Sequence, residues 1–219
     1  MYLMNLCKCP GCMKSVLSDF DDNGEIRENG EYCLTHHPKK NEIAVKIYNY
    51  IYTHDKIVGL NASGMTFSGI DLTDKKFYGC NFQHCFFIGI KAKNLRSRVC
   101  SFDFALFTDC NLLNSNIQFA SFAGAKFIHV LFTGSDMIHD NFSGLSALQS
   151  SFDDSDLYNS RFIQANLVDT SFRNCNVKKT IFYEIQQTNV SFKLSNTKEA
   201  VFDKAGSQLF QGIDNTGIL

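Results

Sequence analysis

Every fifth residue from Phe67 to Phe202 occupies an equivalent position that is apolar except at Ser97, Gln187 and Thr197, and this period constrains the fold more than any other feature. The series runs through 28 positions without an insertion or deletion, and sixteen of them are Phe and four are Leu. A strand alternates every two residues and a helix repeats every 3.6, so neither accounts for a period of five. Self-similarity at a short fixed period indicates a solenoid of repeated structural units.

The residue two places before each apolar centre is usually small, as at Cys80, Ala105 and Ser155. Two inward side chains in five residues form one side of a coil, so four units make a 20-residue turn. A column at this longer spacing contains only phenylalanine: Phe82, Phe102, Phe122, Phe142, Phe162, Phe182 and Phe202. The sequence therefore predicts about seven four-sided coils, a rod of roughly 34 Å at a spacing of about 4.8 Å.

Two segments, "SNIQFASFAGAKF" and "ANLVDTSFRNCNV", carry a resemblance to a known family. They resemble the pentapeptide-repeat family, whose unit reads small, Asn/Asp, Leu/Phe, polar, Gly/polar. The resemblance extends over about residues 60–205 and implies a mainly β fold, a right-handed quadrilateral parallel β-helix. It implies little about function, because one fold hosts many functions.

Three parts of the chain follow from these patterns. We expect a zinc-binding hairpin and helix module at 1–57, a pentapeptide-repeat β-helix at 58–205, and a C-terminal cap or dimerisation tail at 206–219. In relatives, C-terminal segments often form dimers, so the resemblance also implies a homodimer.

A cluster of metal-binding residue types lies outside the repeats. Cys9 and Cys12 form a C-x2-C pair across a Pro-Gly turn, and Cys33 and His36 follow twenty residues later as C-x2-H. Two such pairs suit a tetrahedral structural Zn²⁺ with four protein ligands. Cys7 or His37 can replace one member of this set, and the spacing leaves that choice open. A cluster of free thiols is the simpler alternative.

The segment around these pairs predicts a hairpin and a helix. Asp22-Asn23-Gly24 is a hairpin turn signal between two short strands. Ile43, Ile47 and Ile51 share one face of a helix after the second pair, and we expect Asn41 to cap it. This arrangement resembles a treble-clef zinc module, in which a C-x2-C turn, called the knuckle, is followed by a hairpin, a second ligand pair and a helix.

Two outward surfaces are candidate partner sites. Residues beside the apolar centres stack at a period of 20 into an apolar stripe, and exposed apolar area often marks an interface. The stripe comprises Phe86, Ile88, Leu106, Ile128, Leu148 and Val168. A basic patch is formed by Lys91, Lys93, Arg96 and Arg98, and it suits an acidic partner. Strand-forming residues on a flat face and a solvated charge run are the simpler alternatives.

We expect a non-enzymatic protein–protein interaction scaffold with an unidentified protein partner. By resemblance, one alternative is a DNA-mimic protector of DNA gyrase or topoisomerase IV. Another is a zinc-dependent nucleic-acid adaptor. The charge balance disfavours both, since Lys and Arg number 21 against 22 Asp and Glu, whereas mimicry or binding of DNA needs a strongly charged surface.

Cellular location follows from the remaining composition. No apolar run is long enough to cross a membrane, and the first residues do not form a signal peptide. We therefore expect a cytoplasmic protein in which the nine cysteines are not paired as disulfides. Five of them occupy the small inward position of the repeats, where we expect buried packing thiols: Cys80, Cys85, Cys100, Cys110 and Cys175.

Overall fold

A computed structural model describes residues 5–27 and 30–202 of this chain. The predicted tail, 206–219, lies outside the described residues. The N-terminal elements are strands β1 (Asp19–Phe20) and β2 (Ile26–Arg27) and helix α1 (Lys40–Thr53). The strands that follow are β3 Lys56–Val58, β4 Thr66–Ser68, β5 Lys76–Tyr78, β6 Phe86–Ile88, β7 Arg96–Arg98, β8 Leu106–Thr108, β9 Asn116–Gln118, β10 Lys126–Ile128, β11 Asp136–Ile138, β12 Ser146–Leu148, β13 Asn166–Val168, β14 Ile181–Phe182, β15 Gln186–Thr188 and β16 Val201–Phe202, with a short 3-10 helix at Thr197–Glu199.

The strands stack as a parallel β-solenoid of about seven turns, as the period of five predicted. Each residue pairs with the residue 20 positions along the chain, for example Phe87 with Phe107. Strands β3, β5, β7, β9 and β11 form one five-stranded sheet, and strands β4, β6, β8, β10, β12, β13 and β15 form a seven-stranded sheet. Ladders of single bridges, such as Asn61 with Asn81 and Asp71 with Lys91, form the two sides between these sheets.

The solenoid axis is filled by phenylalanine rings. Phe102, Phe122 and Phe142 stack almost parallel, with ring centroids 4.8 and 5.1 Å apart. The whole predicted column from Phe82 to Phe202 continues in this way, with centroids never more than 5.2 Å apart. A gap of about 20 Å³ within this core is lined by apolar side chains. An interior packed in this way has no room for a small-molecule ligand.

Each side of the coil ends in a residue with a left-handed backbone. The φ angle is positive at every fifth residue from Gly59 to Leu194, a conformation that glycine, Asn and Asp adopt most easily. Gly124 is required for a second reason as well. A Cβ atom at this position would lie 2.7 Å from two ring carbons of Phe104 on the neighbouring coil.

The N-terminal region covers the first coil. Ile43, Ile47 and Ile51 of α1 are buried and join the same apolar core as the solenoid. Lys75 donates hydrogen bonds to the carbonyl oxygens of Tyr52 and His54 at the end of the helix, at 3.0 and 2.9 Å. Solenoids need such covered ends, because an open coil exposes its apolar axis and its strand edges.

The predicted hairpin is present, but the predicted helix cap is wrong. Strand β1 pairs antiparallel with β2, and Gly24 in the connecting turn has φ +82°. The helix begins at Lys40, so Asn41 lies inside the first turn and not at the cap. The cap residue is Lys39, which makes no side-chain hydrogen bond to the helix. An ion pair between Lys39 and Glu42 lies at the same end of the helix.

Candidate functional site

Three thiols and one imidazole converge where the N-terminal knuckle meets the segment before α1. The Leu6–Ser15 bridge and a hydrogen bond from the Cys7 amide to the Lys14 carbonyl close the knuckle. His36 follows a turn in which its amide donates to the Cys33 carbonyl at 3.0 Å. The donor atoms all lie within 4.8 Å of one another, and they belong to Cys7, Cys12, Cys33 and His36.

Three of the six donor separations in this cluster fit the edges of a tetrahedral zinc site. Zn–S and Zn–N bonds of about 2.3 and 2.05 Å imply S–S edges of about 3.8 Å and S–N edges of about 3.6 Å. The Cys12 and Cys33 sulfurs are 3.9 Å apart. The Nδ1 atom of His36 lies 3.5 Å from the Cys7 sulfur and 3.6 Å from the Cys33 sulfur. A donor set of three thiolates and one imidazole is also a set that Zn²⁺ prefers.

The structure brings together three residues of the predicted C-x2-C and C-x2-H pairs and one of the alternates. Cys12, Cys33 and His36 belong to the cluster, and Cys7 occupies the fourth position in place of Cys9. His37 is outside it, and its Nδ1 atom accepts a hydrogen bond from the Lys39 amide. Sequence spacing favours Cys9 because a tight turn joins it to Cys12, whereas the bridge that orients Cys7 involves residues 6 and 15.

The thiols of this cluster differ in their electrostatics. Burial raises the pKa of the Cys7 thiol, but hydrogen bonds from the backbones of Cys33 and Cys9 and from the His36 side chain outweigh burial and lower it to about 6. Burial and the neighbouring Cys7 side chain raise the pKa of Cys9. The thiolate is the metal-binding form, so the Cys7 environment favours a ligand. The pKa of Cys12 is raised like that of Cys9, so geometry and not acidity distinguishes Cys12 from Cys9.

The predicted apolar stripe lies on the outward side of the seven-stranded sheet. Phe86, Ile88 and Leu148 are exposed, by 45%, 40% and 38% respectively. The remaining members are half-buried, and the stripe follows the strand register through Leu106, Ile128 and Val168. The fourteen outward positions of this sheet include one Lys and no Asp or Glu.

A cleft of about 450 Å³ adjoins this stripe where the N-terminal region meets the solenoid. Its wall includes Phe86 and also Met13 and Phe104, which are 78% and 60% exposed. The Phe104 ring stacks on His84 with centroids 5.2 Å apart. Sequence reasoning missed Phe104 because it occupies a coil corner, where a polar residue or glycine is expected. An aromatic residue at a corner position is the signal that identifies it.

The predicted basic patch spans one corner of the coil. Arg96 and Arg98 lie on the outward side of the five-stranded sheet in β7. Lys91 lies on the adjacent side, in the ladder that joins Asp71 and Asn111, and Lys93 lies at the turn between the two sides. All four side chains are exposed, but they do not form one flat surface.

Comparison with known families identifies the solenoid. A family model described as "Pentapeptide repeat region" matches residues 125–202, and one described as "Pentapeptide repeats (8 copies)" matches residues 100–137. Residues 100–202 belong to the pentapeptide-repeat family. The same period continues toward the N-terminus in the structure, and we refer to residues 56–202 as the pentapeptide-repeat rod.

Among the solved structures that this chain resembles, QnrB1 shares its fold. QnrB1, a plasmid-mediated fluoroquinolone resistance protein, is 18% identical over 71% of this chain and 93% of its own, with a TM-score of 0.50. Rfr23 from the cyanobacterium Cyanothece 51142 is 12% identical over 65% and 91%, with a TM-score of 0.43. HetL from Nostoc sp. strain PCC 7120, involved in heterocyst differentiation regulation, is 15% identical over 71% and 94%, with a TM-score of 0.30. A search of curated proteins found no match.

One buried acid interrupts the core of the pentapeptide-repeat rod. Asp140 occupies the small inward position and is 1% exposed. Its Oδ1 accepts a hydrogen bond from the Ala120 amide at 2.7 Å, but its Oδ2 has no hydrogen-bond partner. Burial raises the pKa of this carboxyl well above its usual range. The preceding residues of the column are Cys and Ala, so the period gave no reason to expect an acid here.

Replacing Asp140 by Ser should stabilise the rod at neutral pH. The Ser160 hydroxyl one coil later accepts from the Asp140 amide and donates to the Met137 carbonyl, so serine suits this column. Because the folded pKa of Asp140 is raised, its protonated form is stable in the fold, and stability falls as pH rises above about 4. We expect Asp140→Ser to remove this slope and to add roughly 1–3 kcal/mol at pH 7.

Urea unfolding followed by circular dichroism between pH 4 and 8 measures this effect. Asp169→Ser is the control, since Asp169 is exposed at a coil corner and its carboxylate accepts a hydrogen bond from the Asn189 amide, which does not titrate, so the pH slope of unfolding should stay unchanged. A variant at Asp140 that keeps the wild-type slope would contradict the assignment.

Proposed function

We propose that the protein is a non-enzymatic protein–protein interaction scaffold, with a zinc-stabilised N-terminal region that orients a rigid rod. The observation that carries this proposal is the exposed aromatic surface of Phe86 and Phe104 on a rod whose interior is filled. A partner that buries these rings gains roughly 25 cal/mol for each Å² of apolar area removed from water. Aromatic residues of this kind are enriched at the centres of protein interfaces.

Zinc in this function is structural. The residues that would hold it are Cys7, Cys12, Cys33 and His36, and the proposal is supported by three donor separations of 3.5, 3.6 and 3.9 Å. When bound, the ion would join the knuckle to the segment before α1. Four protein ligands leave no position for water or substrate, which favours a structural role over a catalytic one.

The candidate surface is suited to a partner that binds through apolar contacts. It is less suited to a topoisomerase, which would recognise a surface with the charge of DNA. A DNA mimic needs a dense negative potential. The outward side of the seven-stranded sheet has no carboxylate, and the five-stranded sheet begins with Lys56, Lys76 and Arg96. We expect a partner with an apolar strip that lies along the rod and inserts a side chain into the cleft beside Phe86. The structure contains no helix among the described residues that is long and apolar enough to cross a membrane.

A pull-down with matched variants tests this function. Phe86→Ser/Ile88→Ser removes two exposed apolar side chains from the candidate surface, and Leu131→Ser/Val201→Ser removes two, 41% and 39% exposed, from other sides. Partners captured from lysate of the source cells are identified by mass spectrometry, purified and titrated against each protein. We expect the first variant to weaken binding at least tenfold and the second to leave it unchanged.

Other outcomes of the same experiment contradict the proposal. If both variants bind the partner with the same affinity, the seven-stranded side is not the interface. Capture of gyrase or topoisomerase IV subunits, followed by protection in a supercoiling assay, would support the DNA-mimic alternative.

A further inference from the structure

Charge is segregated along one column of the five-stranded side. The strand register aligns Lys56, Lys76, Arg96, Asn116 and Asp136, and bridges add Asp156 and Asn176. Three cations therefore occupy one half of the column, and two carboxylates and Asn176 occupy the other half. Asn116 lies at the centre, one coil from Arg96 and Asp136 and two coils from Lys76 and Asp156. A column with this symmetry is complementary to itself when one copy is reversed.

The charges of this column are not neutralised within the chain. Lys76 and Arg96 are direct neighbours, and so are Asp136 and Asp156, an arrangement of like charges that disfavours the sheet. None of the four takes part in an ion pair within residues 5–27 and 30–202. Arg96 and Asp136 are separated by two coil spacings, about 9.6 Å along the rod. The intervening Asn116 donates a hydrogen bond to Asp136 at 3.1 Å.

We propose that this side binds a second copy of the same chain, with the two rods antiparallel and a two-fold axis through Asn116. Reversal of one rod about this axis places Arg96 opposite Asp136 of the other copy and Lys76 opposite its Asp156. Each pair occurs twice, so the contact contains four ion pairs. The interface is isologous, the type found in most two-fold dimers.

The second outward column of the sheet has the same symmetry. Tyr78 and Tyr158 lie two coils on either side of Gln118. Reversal therefore places the Tyr78 ring of each copy against Tyr158 of the other, and Arg98 against Ile138. A like-charged pair between Asp74 and Asp154 also results at the corner, and it too occurs twice. Each of these carboxylates already accepts a hydrogen bond from an asparagine of its own chain, at 3.0 and 2.8 Å.

The size of this side predicts a weak dimer. The paired columns span about 29 Å by 10 Å, which is below the roughly 800 Å² per partner of a standard interface. Ion pairs at an exposed contact are also screened by salt. We therefore expect association that is strongest at low ionic strength. The five-stranded side is opposite the seven-stranded side, so this proposal does not rest on the proposed function, and both surfaces can be occupied together.

A charge exchange tests the reversed register. Arg96→Asp should prevent self-association because two carboxylates then face each other, and Asp136→Arg should prevent it because two guanidinium groups then do so. An equimolar mixture of the two variants should associate, since every altered pair is again of opposite charge. The double variant Arg96→Asp/Asp136→Arg should associate as the wild type does. Sedimentation velocity at 20 and 500 mM NaCl, over a series of protein concentrations, measures each case.

The control is Lys126→Asp, which changes the net charge as Arg96→Asp does but lies on the seven-stranded side. It should leave the dissociation constant within about twofold, whereas each single variant on the column should raise it at least tenfold. Thermal melts monitored by circular dichroism confirm that each variant is folded. A wild-type protein that stays monomeric at all concentrations at 20 mM NaCl would overturn the proposal. So would a mixture that associates no better than the single variants, as expected for a surface that binds nucleic acid or another anion.

Discussion

Cys7→Ser should abolish stable zinc binding and unfold the two segments that hold the cluster, residues 5–15 and 30–37. The purified wild-type protein should contain one zinc per chain, and chelation should have the same structural effect as the substitution. A structural zinc site contributes apparent binding free energies of about 10–16 kcal/mol, and this energy drives the folding of the segment that holds it. Residues 5–37 are too few to form an independent core. Leu17 and Phe20, like the buried side chains of α1, pack in the solenoid core, so the helix and strand β1 should stay folded.

Cys9→Ser is the matched control for this prediction. It removes a thiol two residues away in the same knuckle, but Cys9 lies outside the donor cluster, so zinc content should remain near one. Metal content is measured by atomic emission after dialysis against a chelator. Folding is measured by hydrogen exchange with mass spectrometry, since the chain has no Trp to report by fluorescence. Loss of zinc from Cys9→Ser with retention in Cys7→Ser would instead support the set that sequence spacing favours.

Phe122→Ala should destabilise the rod by about 3–5 kcal/mol. The ring is 1% exposed and stacks between Phe102 and Phe142. It also meets Phe127 edge-on, with centroids 5.7 Å apart. Truncation leaves a cavity on the axis that the neighbouring coils cannot fill, because their backbones are fixed by the parallel ladders. Denaturant unfolding followed by far-ultraviolet circular dichroism measures the loss.

Phe119→Ala gives the same chemical change three residues earlier and should cost little. Phe119 is 59% exposed at a coil corner, and its main ring contact is with His139 at 5.0 Å. A comparable loss in both variants would show that the phenylalanine column is not the main source of stability. Because each coil contacts only its neighbours, we also expect Phe122→Ala to broaden the unfolding transition as the two halves of the rod separate.

The sequence allowed the prediction of the rod because one position in five repeats without interruption. The phenylalanine column and the five buried cysteines are confirmed, since the interior of a solenoid restricts side-chain size at every coil. The period predicts which positions point inward but not that each of them is apolar, so it did not lead us to expect a buried carboxyl at Asp140. The period also gave no prediction for corner residues such as Phe104, because they belong to no inward column.

Outside the repeats, sequence reasoning found the residue types of the cluster but not its membership. The C-x2-C spacing describes the local turn between Cys9 and Cys12. Which sulfur faces Cys33 depends on the bridge between residues 6 and 15, a contact that spacing does not encode. The ligand set stays a prediction until metal is measured. The surface predictions share this limit, because the exposure of a side chain depends on residues of the adjacent coils, 20 positions away in the chain.

Residues in the strands and bridges of the rod pair with the residue 20 positions later. The position of a residue within each 20-residue coil therefore determines the side of the rod on which it lies. Removal of 20 residues, one complete coil, would shorten the rod by about 4.8 Å and leave each later side chain on its original side. Removal of a single five-residue unit would turn everything downstream by a quarter of a revolution. Each outward column downstream of the deletion would then lie on the adjacent side of the rod, so that an apolar column could follow a charged one. The core would remain filled, because the inward positions recur every five residues. Deletion or insertion of 20 residues therefore changes the length of the rod, whereas deletion or insertion of five residues changes which side chains share a side. Evolution can alter these two properties separately.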